Sequence, residues 1–216
     1  AVAAVKQQEA SNTDAGDETV AGNKVTDAAG EAVSLNGVWR VDSETGSFSF
    51  EESTGSFVGF RVKEELAKIG ATTAVGRTDQ VTGELSIDGS EIQTVSISAD
   101  LSSIVTNDSR RDSAARYALN VKQNPTATFN LTQPLELPQI DGSKVSVRAE
   151  GQLTVNAITR DVNVDLDAQL VDNTIVVVGS TKVTFSDYDV TAPSAAIVLS
   201  VDDHGVIEFQ LLFSRK

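Results

Sequence analysis

Between Lys144 and Leu170 the chain carries two long amphipathic strands joined by a short polar turn, and no other stretch restricts the fold as much. Val145, Val147, Ala149, Gly151, Leu153 and Val155 alternate with Ser146, Arg148, Glu150, Gln152 and Thr154. That period of two gives a strand one dry face and one wet face. After Asn156–Arg160 the pattern resumes, with Val162, Val164, Leu166, Ala168 and Leu170 on one side and Asp161, Asn163, Asp165, Asp167 and Gln169 on the other. Both runs exceed the usual strand of about five or six residues. Long antiparallel strands with a single apolar side must stack as a sandwich or curl into a barrel, so the remaining segments are read for how they complete that closure.

Upstream, Val38–Asp42 holds the only tryptophan, Trp39, and is followed by Ser47–Phe50 and Phe57–Val62, which read as the first strands. Lys63–Ile69 is a short helix-capable insert ended by Gly70. Ala74–Ile87 and Glu91–Ile104 read as strands on either side of the Asp88-Gly89 turn. Asn107-Asp108 offers an N-cap to a helix over Ser109–Val121, which Asn124-Pro125 stops. Thr126–Leu137 reads as another strand, and Asp141-Gly142 turns the chain into the long hairpin. Asp172-Asn173 turns it again into Ile175–Phe185; Ile197–Val201 and a final strand carrying Ile207, Phe209, Leu211 and Phe213 follow. The fold class expected is all-β, with about eight to ten strands, one short helix and no βαβ rhythm. Strands that neighbour each other in sequence favour an antiparallel up-and-down barrel.

The first 36 residues have no aromatic side chain and are rich in Ala, Gly, Asp, Glu, Thr and Asn. Such a segment buries too little to offset the entropy of ordering it. The expected division is therefore an acidic disordered tail or stalk over 1–36 and a β-barrel domain over 37–216. The formal net charge of -14 argues against a nucleic-acid partner, because phosphate recognition takes a Lys/Arg surface. Cysteine is absent and His204 is the only histidine, which excludes a disulfide framework and thiolate or imidazole-rich metal centres. No metal site is expected. Methionine is absent too, at position 1 as elsewhere, and Ala1–Val5 is small and apolar, as the remnant of a signal or anchor segment would be. A chosen cut would look the same.

Barrels of about eight strands are just wide enough to be filled by side chains or to hold one small ligand. Here the inward set includes Gly83, Ala99, Ala127, Ala149, Gly151, Ala168 and Gly179. Small residues facing an axis leave volume, and volume lined by carbon stays dry and accepts an apolar guest. The competing expectation is a solid core in which Phe48, Phe60, Phe129, Phe185, Phe209 and Phe213 fill the centre.

The order of five motifs resembles the YceI-like, polyisoprenoid-binding family over about residues 38–214. They are Trp39–Asp42 with Gly55–Phe60, Val81–Leu85, Thr106–Asp112 opening the helix, Asn124–Phe129, and Gly151–Arg160 with Val162. The Arg61–Arg77 region with Phe185–Tyr188 and Pro193 is similar to the family's actinobacterial branch. The resemblance implies a lipocalin-like extended barrel whose pore holds a long isoprenoid chain, as in a quinone or polyprenyl lipid. It also implies export: secreted, periplasmic or tethered at the cell surface. The family often has histidine where this chain has Ala114, and His-Gly where it has Asn156-Ala157. The polar head-group role of those histidines is therefore not carried over, while the apolar pore is untouched.

Lumen-lining candidates are Phe60, Val62, Leu85, Ile97, Leu101, Phe129, Leu153, Leu166, Val177, Phe185 and Phe209, with Tyr117 and Arg111 added from the helix. A guanidinium at Arg110, Arg111 or Arg116 suits a lipid head group at the pore mouth; the competing role is to hold the helix on the barrel rim. An enzyme is not expected, because His204 sits in an Asp-Asp-His-Gly turn and no Gly-x-Ser-x-Gly elbow accompanies it. The carboxylates Asp161, Asp165 and Asp167 lack a calcium-loop pattern and read as a solvated strand face. The expected function is binding of an isoprenoid lipid or quinone as carrier, store or sensor, with no other cofactor. The alternative is a structural or adhesive module with no ligand. Transient membrane contact and a homodimer through unpaired strand edges are left open.

Overall fold

The long hairpin forms as its alternation dictates. In this computed structural model, which describes residues 24–26, 32–138, 143–193 and 196–215, Val145–Val155 and Ile158–Val171 pair antiparallel from Val145↔Ala168 to Val155↔Ile158. The turn between them is two residues, Asn156 (φ 51°) and Ala157 (φ 59°), both left-handed as a type I′ hairpin requires. On the wet face, Arg148 bonds Asp165 at 2.6 Å, Lys144 bonds Asp167 at 2.8 Å and Gln152 donates to Asp161. The acidic row is thus matched by donors on the facing strand, the usual unit of sheet stabilisation.

In chain order the strands are β1 Lys24–Thr26, β2 Ala32–Ser34, β3 Gly37–Val41, β4 Phe57–Leu66, β5 Gly70–Thr78, β6 Val81–Asp88, β7 Glu91–Asp100 and β8 Val105–Thr106. The one helix, α1 Asp112–Ala118, comes next. Then follow β9 Thr126–Leu131, β10 Leu135–Glu136, β11 Val145–Val155, β12 Ile158–Val171, β13 Thr174–Thr184, β14 Val198–Val201 and β15 His204–Ser214. The order β13-β12-β11-β9-β7-β6-β3-β15, with β15 also paired to β13, closes eight antiparallel strands into a barrel. Each ring strand neighbours the previous ring strand in sequence, so the barrel is up-and-down. The hairpin β4–β5 leaves the ring and hangs on the free edge of β15 from Phe57↔Gln210 to Arg61↔Val206.

Alternate connections of a meander fall at the same end, and the two ends differ. Short turns at Gly89-Ser90 and Asp172-Asn173 sit at one end, beside Leu35 and the last residues of β15. Long connections sit at the other: 101–125, which carries α1, and 185–203, which opens with a 3-10 turn over Phe185–Tyr188. Around the helix end Leu153, Val155 and Tyr188 are buried against Leu119, Ala127, Val162, Val183 and Ile207. The main core holds Trp39, Val81, Leu85, Ile97, Leu211 and Phe213.

Several sequence expectations need correction. Lys63–Leu66 is not helical but the end of β4, paired with β5 and β14, because Glu64 points inward to Arg111 at 2.7 Å and so hides a strand alternation behind charge. Ser47–Phe50 is no strand. Phe48 and Phe50 meet edge-on at 5.4 Å in an excursion, 42–56, that folds over the outer face of β15. The run Thr126–Leu137 breaks after Leu131 ahead of Pro134, which has no N–H for the ladder, and β10 resumes on β7. Glu91–Ile104 ends as a strand at Asp100, whose carboxylate accepts from Ser102 N and caps the 3-10 turn Leu101–Ser103. The helix is shorter than Ser109–Val121, because Ser109–Arg111 is 3-10 and Asn120 takes φ 52°. Finally, the expected tail does not stop mattering at 36. β1 pairs with β2, and Leu35 is 2% exposed in the core; residues 1–23 and 27–31 lie outside the described residues.

Candidate functional site

The inward faces of the ring strands enclose a cavity of about 170 Å³. Its wall runs from Leu35, Ile87, Leu137 and Ile175 at the short-turn end to Ala127, Val162 and Ile207 at the helix end. Among the lining residues only Thr128, Ser143, Gln169 and Thr181 are polar. The Thr181 hydroxyl is already donated to Asn163 O at 2.8 Å. Engineered apolar cavities of about 150 Å³ stay dry and take up benzene, so this space suits an uncharged hydrocarbon guest.

The hollow persists although phenylalanines face it, and the glycines explain why. A Cβ on Gly151 would lie 2.3 Å from the Phe129 ring, and one on Gly179 would lie 2.5 Å from Cζ of Phe209. Each ring edge occupies the space a side chain would have filled on the neighbouring strand, so the ring lies on the wall instead of crossing the axis. The solid-core expectation fails on this geometry.

Seven of the named candidates line the cavity: Leu85, Ile97, Phe129, Leu153, Leu166, Val177 and Phe209. Six do not. Phe60 and Val62 belong to β4, which has left the ring, and the Phe60 ring lies on Gly76 of β5. Leu101 is buried beneath the connection to α1, and Phe185 opens the 3-10 turn with Cε1 3.2 Å from where a Gly205 Cβ would be. Tyr117 is 89% exposed on α1. Arg111 is held by Glu64, Arg110 bonds Asp108 at 2.7 Å and Arg116 donates to Ile104 O at 2.9 Å. Arg111 thus ties the helix start to β4 and Arg116 ties the helix to the turn at Ile104, whereas the Arg110 pair is local to its own turn and exposed. Leu35, Val58, Leu131, Leu135 and Leu137 also line the cavity; the last three continue the alternation of Phe129 past the break, a signal that was present, whereas Leu35 lies in the segment read as tail.

The wall parts near the short-turn end. β9 stops pairing with β11 at Leu131↔Gly151, where Thr132 N bonds Glu150 O at 3.1 Å. From there β10 follows β7 while β11 runs on to Val145 paired with β12 alone. Leu135, Leu137, Val145 and Val147, all half-buried, edge this split and line the cavity.

A polar knot ties the helix end. The buried Asn156 Oδ1 accepts from Asn120 Nδ2 at 2.9 Å and Asn124 Nδ2 at 2.8 Å, and its Nδ2 donates to Tyr188 O at 3.1 Å. One side chain thus joins the β11–β12 turn, the end of the α1 connection and the Phe185–Tyr188 turn. Asn156→Ala leaves two amides and a carbonyl unpaired and puts alanine at a left-handed φ. We expect a loss of about 2–3 kcal/mol in a urea unfolding titration; a loss below about 1 kcal/mol would show the knot to be incidental.

A UPF0312 protein of Pseudomonas aeruginosa is 29% identical over 118 residues, 53% of this chain and 56% of that protein; the match spans about half the length of that curated relative. The polyisoprenoid-binding domain of Saccharophagus degradans implicated in plant cell wall breakdown superposes with a TM-score of 0.57 at 16% identity, covering 74% of this chain and 94% of that one. BcnA of Burkholderia cenocepacia gives 0.55 at 17%, covering 72% and 95%. The YceI protein of Campylobacter jejuni gives 0.51 at 19%, covering 65% and 84%. At these identities the likeness is one of fold. A sequence model of the YceI-like domain matches residues 39–213, from the strand that opens the ring to the strand that closes it, and the chain belongs to the YceI-like family.

Proposed function

We propose that the barrel binds a long isoprenoid lipid, of the quinone or polyprenyl type, along its lumen and serves as a carrier, store or sensor of that lipid. The observation that carries this reading is the carbon-lined hollow running between the two ends of the ring. The likeness of fold to a polyisoprenoid-binding domain supports it. Burial of one CH₂ contributes about 0.8 kcal/mol, so a five-carbon isoprene unit supplies about 3–4 kcal/mol before the costs of ordering the chain are met. A few such units suffice for tight binding with no polar contact at all. The resting hollow takes roughly a benzene's volume, so a longer chain enters by turning lining side chains outward, and the split between β10 and β11 gives the wall room to yield.

The test is to strip lipid by unfolding and refolding, then titrate a long-chain quinone; saturable uptake is expected, and none would overturn the reading. Native mass spectrometry with organic extraction of the protein as isolated identifies what it carries. Ala149→Phe projects a ring from β11 into the lumen, where Ala149 is 3% exposed. Overpacking of this kind costs about 1–3 kcal/mol. We expect the circular dichroism spectrum to be retained and quinone uptake to fall at least about tenfold.

A further inference from the structure

Three buried side-chain atoms among the described residues have no hydrogen-bond partner: Asn36 Oδ1, Glu64 Oε1 and the Tyr188 hydroxyl. Glu64 is neutralised by Arg111, and Asn36 stands at the short-turn end. Tyr188 is different. It is 4% exposed and packs in one cluster with Leu153, Val162 and Ile207, each of which also lines the lumen. A hydroxyl so placed gives up its bonds to water and finds none in the protein, which is costly unless a ligand completes it.

Charge narrows the ligand further. No lysine or arginine is among the lining residues, and the arginines around α1 are spent on Asp108, Glu64 and Ile104 O. At the opposite end the hairpins carry Asp88, Glu91, Glu136 and Asp172. Arg215 there stacks on Trp39 at 4.3 Å and donates to Ser34 O and Asn36 O. A phosphate would meet no Lys or Arg on the lumen wall and acidic hairpins at the short-turn end. Arg160, whose charge reaches Tyr188, donates to Thr159 O at 3.0 Å. Burying an unpaired charge is prohibitive.

We infer that the lumen selects isoprenoid lipids ending in an uncharged hydrogen-bond acceptor, the carbonyl of a quinone ring, and that the Tyr188 hydroxyl donates to that carbonyl at the helix-covered end. The inference rests on the lumen being the lipid site. Burial, with Asp187 adding to it and Arg160 opposing, pushes the Tyr188 phenol up from its ordinary value, so at neutral pH the hydroxyl keeps the proton it donates.

The experiment titrates delipidated wild type and Tyr188→Phe with three ligands of matched chain length: an isoprenoid quinone, an isoprenoid hydrocarbon and a polyprenyl phosphate. Wild type is expected to prefer quinone over hydrocarbon by about tenfold and to bind the phosphate weakest. Tyr188→Phe removes an unpaired hydroxyl, so its thermal midpoint should equal or exceed that of wild type. Its quinone affinity should fall about tenfold, with hydrocarbon affinity unchanged. The infrared carbonyl band of quinone bound to wild type should be shifted down, a shift that the variant loses. Hydrocarbon uptake without a quinone preference, or a preference for phosphate, sinks this inference and leaves the lumen reading standing. Failure of all three ligands to bind sinks both. An unshifted carbonyl band in wild type overturns the Tyr188 contact even if the variant does not fold.

Discussion

Trp39→Ala is expected to lower the stability of the domain by about 3–5 kcal/mol, read as a shifted midpoint in denaturant unfolding. Trp39 is 0% exposed, its Nε1 donates to Leu35 O at 2.8 Å, and the Arg215 guanidinium covers its ring. It lies on β3, whose ladder with β15 among the described residues is Phe213↔Val41 and Ser214↔Arg40, extended by Asp42 N to Leu212 O at 2.7 Å. So short a ladder leaves packing, not backbone bonding, to hold the ring shut, and the indole supplies that packing. A typical domain has about 5–15 kcal/mol in total, so the variant sits close to unfolding. Trp39→Phe keeps most of the bulk and loses the bond to Leu35; about 1–2 kcal/mol is expected. Equal, small losses in both variants would show that the indole does not close the barrel.

Arg77→Ala should cost about 3 kcal/mol, the low end for breaking a buried pair, because Glu208 keeps its second partner, Arg61. Arg77 is 6% exposed. Its Nε donates to Glu208 Oε1 at 2.8 Å and its Nη1 to Ser49 O at 3.1 Å, while the guanidinium stacks 4.2 Å from the Phe57 ring and 6.0 Å from Phe50. With Gln210, whose Nε2 donates to Ser53 O and Gly55 O at 3.0 Å, this side chain pins the 42–56 excursion to the outer sheet. Its loss should therefore also speed cleavage after Glu51 and Glu52 by a glutamate-specific protease. Replacing both partners, Arg77→Met with Glu208→Leu, should recover most of the loss, since apolar pairs often substitute for buried ion pairs at little cost. Unchanged cleavage in Arg77→Ala would sever the link to the excursion.

The barrel was legible where inward positions were apolar and outward ones polar, as in β11 and β12. It was illegible where an inward residue was charged. Glu64 made β4 look helical because nothing nearby in sequence announces Arg111 as its partner, and β4–β5 leaving the ring follows from a pairing choice on β15 that alternation does not encode. Phe48 and Phe50 looked like strand residues because a ring pair that covers a guanidinium through one member calls for the same side chains as a core. For the lumen, the small residues pointed to a hollow, but that Phe129 and Phe209 keep it open depends on which glycine each ring meets across the sheet. Tyr188 belonged to the Phe185–Tyr188 likeness but carried no sign of burial, since that comes from the 185–203 connection folding back over the barrel end.

β15 has a consequence beyond packing. Every other joint of the ring links strands that follow one another in the ring's chain order, whereas this strand, the last of the ring, must join β13 on one edge and β3 and β4, from the start of the domain, on the other. Until it emerges, the nascent polypeptide is an open sheet with an apolar face and two bare edges, the kind of surface on which chains associate. Closing a loop nearly as long as the domain is slow relative to forming hairpins. Truncation before His204 should therefore yield insoluble protein, and refolding should show early sheet formation followed by a slower phase in which Trp39 becomes shielded from solvent.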